Sequence, residues 1–397
     1  MKHFYLFILL IVHYQINAQF CTSDHRFTEV DYFSSAQIDS VTNLTYASFS
    51  DSQGNQQDLL IDFYFPNSIE DSLQKRPFIL LIHGGGFAIG NKMLMRDKCF
   101  EFARKGFVAA TMNYRLGNFQ AGDVRYRAQQ DAHSAMRFVV DQAEAWRIDT
   151  TWLFIGGRSS GSMAALGLAY LDQKDWNTID SSSVSDLGPL DAFGNNLNPE
   201  FSIKGVFNNW GNVDSTGVSA SDNIPMIAFH GENDPIINID TSQLGWGSRA
   251  LHNFFFEQGI CSDLTIDPTG GHGVYDNPEG AKFRVRKASC FFKSIFCDNC
   301  VSISTTDSIA AQCSITTSID NPINERSITV YPNPFGSTLH MEGLKGEEKI
   351  ILYNAMGQIV AQWNSEQNLD LEELPSGLYL LEIKAEGLRQ IEKLYKR

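Results

Sequence analysis

A glycine-flanked serine between an apolar run and a helical segment constrains the fold of this chain more than any other feature. The segment "TWLFIGGRSSGSMAAL" (151–166) reads as a buried strand that passes directly into a helix, with a G-x-S-x-G motif at 157–161. Such a junction must turn sharply, and glycines two positions before and after Ser159 remove the side chains that would collide there. Ser160 and Ser162 lack glycine at both flanking positions, so Ser159 is the candidate nucleophile.

Apolar strand-like runs alternate with helical segments over much of the chain. "FILLIH" (78–83) is continuously apolar, as expected of a strand buried on both faces of a parallel sheet. The alternation of strand and helix continues to the strand "CSDLTIDP" (261–268), whereas residues 40–66 alternate apolar and polar side chains and predict an antiparallel hairpin. The pattern predicts an α/β fold with a mostly parallel sheet and helices on both faces.

The two ends of the chain differ from this central part. Residues 1–18 combine a basic start, a short apolar run and a small residue at the end, which predicts a secretory signal peptide. Residues 19–300 would then form the catalytic α/β domain, and the Ser/Thr-rich residues 301–325 a linker. Short alternating segments separated by turn signals predict a small all-β sandwich over 326–397.

The seven cysteines and the net charge of −15 bear on two classes of partner, metal ions and nucleic acid. In an exported chain, cysteines are expected to pair as disulfides rather than to bind metal. "CDNC" (297–300) has zinc-like spacing, but no second pair or nearby histidine completes a site, so no metal is predicted. The odd count leaves at least one thiol unpaired, and the connectivity stays open. Nucleic acid is not an expected partner, because phosphate binding needs clustered Lys and Arg.

A serine hydroxyl becomes a good nucleophile only when a base takes its proton and a carboxylate holds that base. In a fold of this order both partners follow the serine along the chain, each just beyond a strand end. Asp234 follows the strand "PMIAFHG" (225–231), and His272 lies in a glycine-flanked loop after the last strand. The competing histidines, none of which follows the last strand, are His25, His133, His230 and His252. Ser159, Asp234 and His272 are therefore the predicted catalytic residues, and this chemistry needs no cofactor.

Three consecutive glycines, 84–86, stand directly after the strand at 78–83. In acyl transfer the carbonyl oxygen becomes negatively charged and needs preorganised N–H donors. A glycine triplet at a strand end offers such donors with no side chains in the way, and the N–H of Ser160 adds another. A phosphate loop would need Lys and Ser/Thr after the glycines, and these are missing. The triplet is predicted to form an oxyanion hole.

These motifs together resemble the α/β-hydrolase esterases of the hormone-sensitive-lipase and type-B carboxylesterase kind, over roughly residues 40–295. The segments that carry the resemblance are "HGGGF" (83–87), "NYRLG" (113–117), "DAHSAMRFV" (131–139) and "RIDTTWLFIGGRSSG" (147–161). The resemblance implies that Gly85 and Gly86, with Ser160, donate to the oxyanion, and that His83 orients their loop. Arg158 is a departure, since these families often carry Glu or His there, and it bears on the charge preference for substrate.

The end of the chain is similar to the type A C-terminal sorting domains of the type IX (Por) secretion system of Bacteroidetes-type bacteria. "SITVYPNPFGSTLHMEG" (327–343) and "LPSGLYLLEI" (374–383) carry this resemblance. It implies the secretion machinery as a partner, passage through the outer membrane, and removal of the tail with release or surface anchoring. The alternative is an Ig-like accessory module that binds a polymer.

The combined interpretation is an exported serine carboxylic-ester hydrolase. Two alternatives remain at this point. One is a serine peptidase, against which the missing β-propeller and the intact glycine triplet count. The other is a non-catalytic adhesion or binding protein on a hydrolase scaffold, which would have a broken triad. The ester substrate is left open among small esters, acylated polysaccharides and polyesters.

Overall fold

The computed structural model describes residues 20–306 and 328–397, with short gaps at 23, 51–52, 70, 118–121, 243–244, 355–357 and 386–387. These residues form two compact units, the first over 20–302 and the second over 328–397. The predicted signal peptide at 1–18 and most of the predicted linker at 301–325 lie outside the described residues. Within the described ranges, no helix combines the length and apolar character needed to cross a bilayer.

One mixed sheet organises the first unit. Within residues 20–302 its strands are β1 (Ile38–Ser50), β2 (Gln56–Pro66), β3 (Arg76–Ile82), β4 (Val108–Met112), β5 (Ile148–Arg158), β6 (Ile203–Asn209), β7 (Met226–Gly231) and β8 (Ser262–Asp267). They lie in the order β1-β2-β4-β3-β5-β6-β7-β8. The pairs β1–β2 and β2–β4 are antiparallel, and every pair from β4 to β8 is parallel. The predicted antiparallel hairpin and mostly parallel sheet are confirmed.

Helices cover both faces of this sheet. They are α1 (Arg96–Arg104), α2 (Val124–Asp141), α3 (Ser160–Tyr170), α4 (Gln173–Ile179), α5 (Ser181–Leu187), α6 (Ser248–Glu257) and α7 (Pro278–Phe296), with 3-10 turns at Ser35–Gln37, Lys92–Met95, Leu190–Ala192 and Ala220–Asp222. Successive side chains of β3 point to opposite faces. Phe78 and Leu80 join a core with α2, α3 and α6, while Ile79 and Leu81 join a second core with α1 and α7. A strand buried on both faces must be apolar throughout, which explains "FILLI".

Two parts of the first unit differ from what the sequence pattern predicts. The segment 177–202 has the Ser, Asn and Gly content of an insertion between strands, but it contains the last three residues of α4 and all of α5. These helices are seven residues each and are capped by Asp172 and Asp180, whose side chains accept backbone N–H groups. The strand at 262–267 does not close the series either, because the 19-residue helix α7 follows it.

Two disulfides between described residues link the C-terminal end of the first unit to its start and to its body. Cys21 pairs with Cys297, and Cys261 pairs with Cys300. The "CDNC" segment therefore holds halves of two different disulfides, as the disulfide interpretation predicted. Cys99 is a free thiol buried in the core.

The second unit is a small two-sheet β structure. Its strands are β9 (Thr329–Tyr331), β10 (Thr338–Glu342), β11 (Lys349–Asn354), β12 (Ile359–Asn364), β13 (Asn368–Asp370), β14 (Gly377–Ala385) and β15 (Leu388–Lys396). One sheet has the order β9-β10-β13 and the other β12-β11-β14-β15. Leu339 and Leu369 from the first sheet share a core with Ile350 and Leu381 from the second. The predicted all-β sandwich is confirmed.

Candidate active site

Ser159 occupies a strained turn between β5 and α3. Its backbone has φ 51° and ψ −126°, a combination that costs free energy for a residue with a side chain. The flanking glycines are needed sterically. A Cβ added at Gly157 would lie 2.4 Å from the Gly161 carbonyl oxygen, and one at Gly161 would lie 2.2 Å from the Ile82 carbonyl oxygen. The turn holds Ser159 at the carboxyl-terminal edge of the sheet, as its motif predicted.

The structure brings the three predicted catalytic side chains together. His272 Nε2 lies 2.8 Å from Ser159 Oγ, and His272 Nδ1 lies 2.8 Å from Asp234 Oδ2. Asp234 follows β7 and His272 follows β8, and these neighbouring parallel strands end at the same edge of the sheet. A hydrogen on His272 Nδ1 donates to the Asp234 carboxylate, which leaves Nε2 free to accept the hydroxyl proton of Ser159.

The Asp234 carboxylate is buried and strongly hydrogen-bonded. Its Oδ1 accepts the backbone N–H groups of Ile236, at 2.8 Å, and Ile237, at 3.0 Å. Burial alone would raise the pKa of Asp234, but the hydrogen bonds from His230, His272 and these two amides outweigh burial and hold the pKa well below its ordinary value. The carboxylate therefore stays ionised wherever the protein is folded at ordinary pH.

A second histidine reaches the same carboxylate. His230 Nε2 lies 3.3 Å from Asp234 Oδ2 and 2.9 Å from the carbonyl oxygen of Ile237. Both neighbours are acceptors, so His230 Nε2 carries a hydrogen. His230 Nδ1 lies 2.7 Å from Ser248 Oγ and accepts its hydroxyl hydrogen. The His230 ring therefore lies between the Asp234 carboxylate and a further set of polar groups.

These further polar groups form a buried chain of hydrogen bonds from His230 to α3, the helix that follows Ser159. Asn208 Nδ2 donates to Ser248 Oγ at 3.1 Å, and Asn208 Oδ1 accepts the Ser162 hydroxyl at 2.7 Å. Ser162 Oγ in turn accepts the backbone N–H of Asn209 at 3.0 Å. The side chains are fully buried, and each donor has an acceptor, as buried polar groups require. Ser162, three residues after Ser159, is thereby linked to Asp234.

The glycine triplet lies against the nucleophile turn. A Cβ added at Gly84 would lie 3.2 Å from Ser159 Cβ and 2.8 Å from the Arg158 carbonyl oxygen. Gly85 and Gly86 have φ 129° and 61°, values that favour glycine. A Cβ at Gly85 would meet the Ile89 carbonyl oxygen at 2.0 Å, whereas one at Gly86 would enter open space. The backbone at Gly86 therefore has open space beside it. Ser160 is the first residue of α3, where helix N–H groups have no partner within the helix.

His83 is buried beneath the triplet. Its Nδ1 lies 2.8 Å from the Gly84 carbonyl oxygen, and its ring stacks on Tyr114 with centroids 4.4 Å apart. Burial lowers the pKa of His83 to about 4, with the hydrogen bond to Gly84 opposing the shift, so the ring is uncharged and Nδ1 donates. The Tyr114 hydroxyl donates to the His83 carbonyl at 3.1 Å. These contacts fix the loop's course rather than present a reactive group.

An ion pair joins the nucleophile turn to the loop of His272. Arg158 Nη1 lies 2.8 Å from Asp276 Oδ2, and Arg284 Nη2 lies 3.3 Å from the other oxygen of Asp276. Arg284 is completely buried, lies over the Trp210 ring at 4.8 Å, and donates to Asn209 Oδ1. The Asp276 carboxylate therefore links the loop that carries His272 to the turn that carries Ser159.

A cleft of about 1720 Å³ lies at the opposite edge of the sheet. Ile203 and Pro225, at the beginnings of β6 and β7, are among its lining residues. Parallel α/β sheets bind ligands at the carboxyl ends of their strands, and Ser159 lies at that end. The cleft's volume therefore does not mark it as the reacting site.

Sequence patterns predicted the three side chains that the structure brings together and missed those that hydrogen-bond to them. His230 does not follow the last strand, so the pattern did not select it, and Asn208 and Ser248 carry no motif. Only "FHGEND" offered a signal, since it places a histidine four residues before the carboxylate. The rest of the chain of hydrogen bonds comes from segments far apart in sequence.

Two family models match this chain. Residues 61–223 match the BD-FAE model, and residues 329–397 match the model of the secretion system C-terminal sorting domain. Among curated proteins, a non-reducing polyketide synthase of Aspergillus novofumigatus is 36% identical over 59 residues, which are 15% of this chain and 3% of that protein. The methylphloroacetophenone synthase of Cladonia uncialis is 31% identical over 124 residues, which are 28% of this chain and 5% of that protein. The chain thus spans only a small part of these curated relatives.

Solved structures of an esterase and of an α/β hydrolase are also similar to this chain. Est2 of the planctomycete Thermogutta terrifontis, with propionate bound, has a TM-score of 0.49 and 18% identity, covering 64% of this chain and 93% of its own. MGS-M1, an α/β hydrolase from a Medee basin deep-sea metagenome library, has a TM-score of 0.42 and 15% identity, covering 60% and 84%. By the two family matches, residues 61–223 carry a BD-FAE hydrolase domain and residues 329–397 carry a secretion system C-terminal sorting domain. Both expected resemblances are confirmed.

Proposed function

We propose that this chain, which carries a BD-FAE hydrolase domain and a secretion sorting domain, is an exported serine esterase that works through an acyl-enzyme. The observation that carries the proposal is the alignment of three groups. Ser159 Oγ and Asp234 Oδ2 each lie 2.8 Å from opposite nitrogens of His272. The nucleophile sits on a strained, glycine-flanked turn that exposes its hydroxyl.

The first half-reaction follows from this alignment. Ser159 Oγ attacks the ester carbonyl while its proton passes to His272 Nε2, and the carbonyl oxygen becomes an oxyanion. The backbone N–H groups of Gly85, Gly86 and Ser160 are the proposed donors to that oxygen. When the intermediate collapses, the carbon–oxygen bond to the alcohol breaks. The alcohol takes the proton from His272 Nε2, and the acyl group stays on Ser159.

The second half-reaction uses the same groups with water. His272 Nε2 takes a proton from a water molecule as the oxygen attacks the acyl carbon, and the acyl–Ser159 bond breaks. Ser159 regains its proton from His272, and a carboxylic acid leaves. Asp234 stays ionised throughout and keeps the imidazole in the orientation both steps need, which agrees with its low pKa. Apart from the ester and water, the proposed steps use only groups of this chain.

Export is proposed to use both ends of the chain. The basic and apolar residues at 1–18 fit a signal peptide, and the C-terminal unit fits delivery to the type IX machinery. Passage through the outer membrane of a Bacteroidetes-type bacterium, followed by removal of the tail, would place the esterase in the medium or on the cell surface.

The test is hydrolysis of p-nitrophenyl acetate, butyrate and octanoate by the full chain, beside a Ser159→Ala variant. Ser185→Ala is the matched control, because Ser185 is an exposed serine on α5. We expect turnover that is lost in Ser159→Ala and kept in Ser185→Ala. A p-nitroanilide amide cleaved as fast as the ester would instead indicate a peptidase. Folded protein that turns over no ester would indicate a binding protein.

A further inference from the structure

Arg158 stands immediately before the nucleophile and is only partly neutralised. Its side chain is 30% exposed, and Nη1 pairs with Asp276. Its Nε is buried and has no hydrogen-bond partner among the described residues. Arginine carries five N–H donors in a planar fork that suits a carboxylate, and one carboxylate oxygen occupies only part of that fork.

The carboxylate that holds Arg158 is shared with a second guanidinium. Asp276 Oδ1 lies 3.3 Å from Arg284 Nη2, while its Oδ2 lies 2.8 Å from Arg158 Nη1. Arg284 is completely buried, so it depends on Asp276 for its negative neighbour. One negative charge therefore serves two positive charges.

A third cation, Lys98 of α1, interacts with this pair. Its side chain is only 7% exposed, and it forms no ion pair or hydrogen bond with any described residue. The pKa of Lys98 is lowered to about 8, first by burial and then by the positive charges of Arg284 and Arg158, with Asp276 opposing the shift. Lys98 remains mostly protonated at pH 7, so it adds a third positive charge, with Asp276 and, to a smaller extent, Asp97 as its negative neighbours. A buried ammonium without a counterion is costly and favours an incoming anion.

The position of these cations indicates which part of a substrate they would meet. The Arg158 Cγ would lie 3.3 Å from a Cβ on Gly84, so its stem runs beside the glycine triplet. Its guanidinium is bonded to Asp276, four residues beyond His272 on the same loop. The departing alcohol must take its proton from His272 Nε2, so the alcohol portion of an ester lies on the His272 side of the carbonyl.

We propose that Arg158, supported by Lys98, binds a carboxylate on the alcohol portion of the ester. The preferred substrates are then acyl esters of hydroxy acids, such as an acylated uronic acid unit, rather than esters of neutral alcohols. The bond chemistry is unchanged: the acyl group moves to Ser159, the alcohol oxygen takes the proton from His272, and the product leaves as a hydroxy acid. This inference rests on the proposed esterase function.

The test compares two acetyl esters that differ in one charge, 4-acetoxybenzoate and its methyl ester, with the full chain. The measured quantity is the ratio of their kcat/KM values in wild type, Arg158→Gln and Lys98→Met. Comparing the ratio between variants cancels the different intrinsic reactivities of the two esters. Lys204→Gln is the matched control, since it removes one positive charge from an exposed position at the start of β6, at the far edge of the sheet.

We expect Arg158→Gln to lower the preference for the charged alcohol about ten-fold to one hundred-fold, the usual value of a hydrogen bond to a charged group. Lys98→Met should lower it several-fold, and Lys204→Gln should leave it unchanged. The wild-type preference should also shrink as NaCl is raised, because salt screens a partly exposed pair. A second pair of esters, p-nitrophenyl hemisuccinate and p-nitrophenyl butyrate, places the charge on the acyl portion. For this pair, Arg158→Gln should change the ratio of kcat/KM values little.

A ratio that is the same in wild type, Arg158→Gln and Lys98→Met would overturn the inference while leaving the esterase intact. If Arg158→Gln lowers kcat/KM equally for both esters, the Lys98→Met variant decides between the two explanations. An unchanged ratio in Lys98→Met then means that Arg158 only holds its loop in place, which overturns the inference. A larger effect on the acyl-side pair than on the alcohol-side pair would also overturn it. Failure of wild type to hydrolyse either neutral ester would instead count against the proposed function.

Discussion

His230 Nε2 lies 3.3 Å from Asp234 Oδ2, the same oxygen that His272 Nδ1 reaches at 2.8 Å. Two histidines therefore share one carboxylate oxygen, and only one of them faces the nucleophile. The other, His230, is completely buried and accepts a hydrogen bond from Ser248, which in turn accepts one from Asn208. Since the carboxylate's position sets the orientation of His272, we infer that His230 is a positioning residue for the reaction.

Replacing His230 tests that role. His230→Leu removes the donor to Asp234, and we expect kcat to fall about ten-fold to one hundred-fold with KM nearly unchanged. His230→Gln keeps an N–H donor near the position of Nε2 and should retain more of kcat. Steady-state kinetics and thermal unfolding of both variants separate the effect from a loss of folded protein. Equal kcat values for the two variants at equal stability would contradict a role through hydrogen bonding.

The glycine triplet should respond unequally to alanine. In Gly85→Ala the new Cβ would fall 2.0 Å from the Ile89 carbonyl oxygen, so the loop must move and both the melting temperature and the activity should drop. In Gly86→Ala the Cβ enters open space, and only the positive φ of 61° resists it, at a cost of about 1–2 kcal/mol. Urea unfolding and ester hydrolysis of the two variants check this order. A more damaging Gly86→Ala would show that the open side is occupied during the reaction.

Buried histidines make folding sensitive to acid. Burial, followed by the charge of Lys287, lowers the pKa of His252 to about 4, against about 6.5 in an unfolded chain. Between these values the unfolded chain binds more protons, so stability falls as pH falls, by about 2 kcal/mol at pH 4.5 for this residue. The pKa of His83 is lowered to about 4 in the same way.

The measurement for His252 is urea unfolding at pH 7, 5.5 and 4.5 for wild type and His252→Gln. The variant lacks this titration, so its free energy of unfolding should decline less steeply between pH 7 and 4.5. Its absolute stability at pH 7 is not the readout, since loss of the contact with Ser262 Oγ lowers stability at every pH. Parallel curves for the two proteins would refute the assignment.

The two disulfides should differ in what they contribute. Cys21–Cys297 spans 276 positions, whereas Cys261–Cys300 spans 39. A longer closed loop restricts the unfolded chain more, so replacing both cysteines of the first pair by serine should cost about 1–2 kcal/mol more than the same change in the second. Urea unfolding of the two double variants gives the comparison. A larger loss for the second pair would mean that native contacts, rather than chain entropy, decide its value.

The candidate catalytic residues were open to prediction because each follows a local rule. Ser159 is marked by glycines at fixed offsets, and Asp234 and His272 come in the chain order and strand-end positions that this fold requires. His230 obeys no such rule. Its role depends on the backbone turn between β7 and Ile237, which brings its ring back to Asp234, and a sequence pattern does not contain that distance.

The misread parts of the fold have a similar cause. The strands of the central sheet have a strong apolar signature because both faces are covered. Helices α4 and α5 are short and mostly polar, so their composition suggests a loop, but the aspartates that cap them stabilise the helices. Helix α7 begins with Asn277 as its cap and a proline in the first turn, a start signal that the prediction did not use. Disulfide pairing depends on which chain ends meet in space, which spacing does not encode.

The Cys21–Cys297 bond makes the catalytic domain a covalent ring. A protease that cuts one exposed loop between these residues opens the chain without separating its two pieces, and the fragments part only after reduction. The ring also closes before the sorting tail begins, because Cys297 precedes the second unit. Trimming of the tail outside the cell would therefore leave the ring unbroken, and the esterase that remains would resist fragmentation in surroundings rich in proteases.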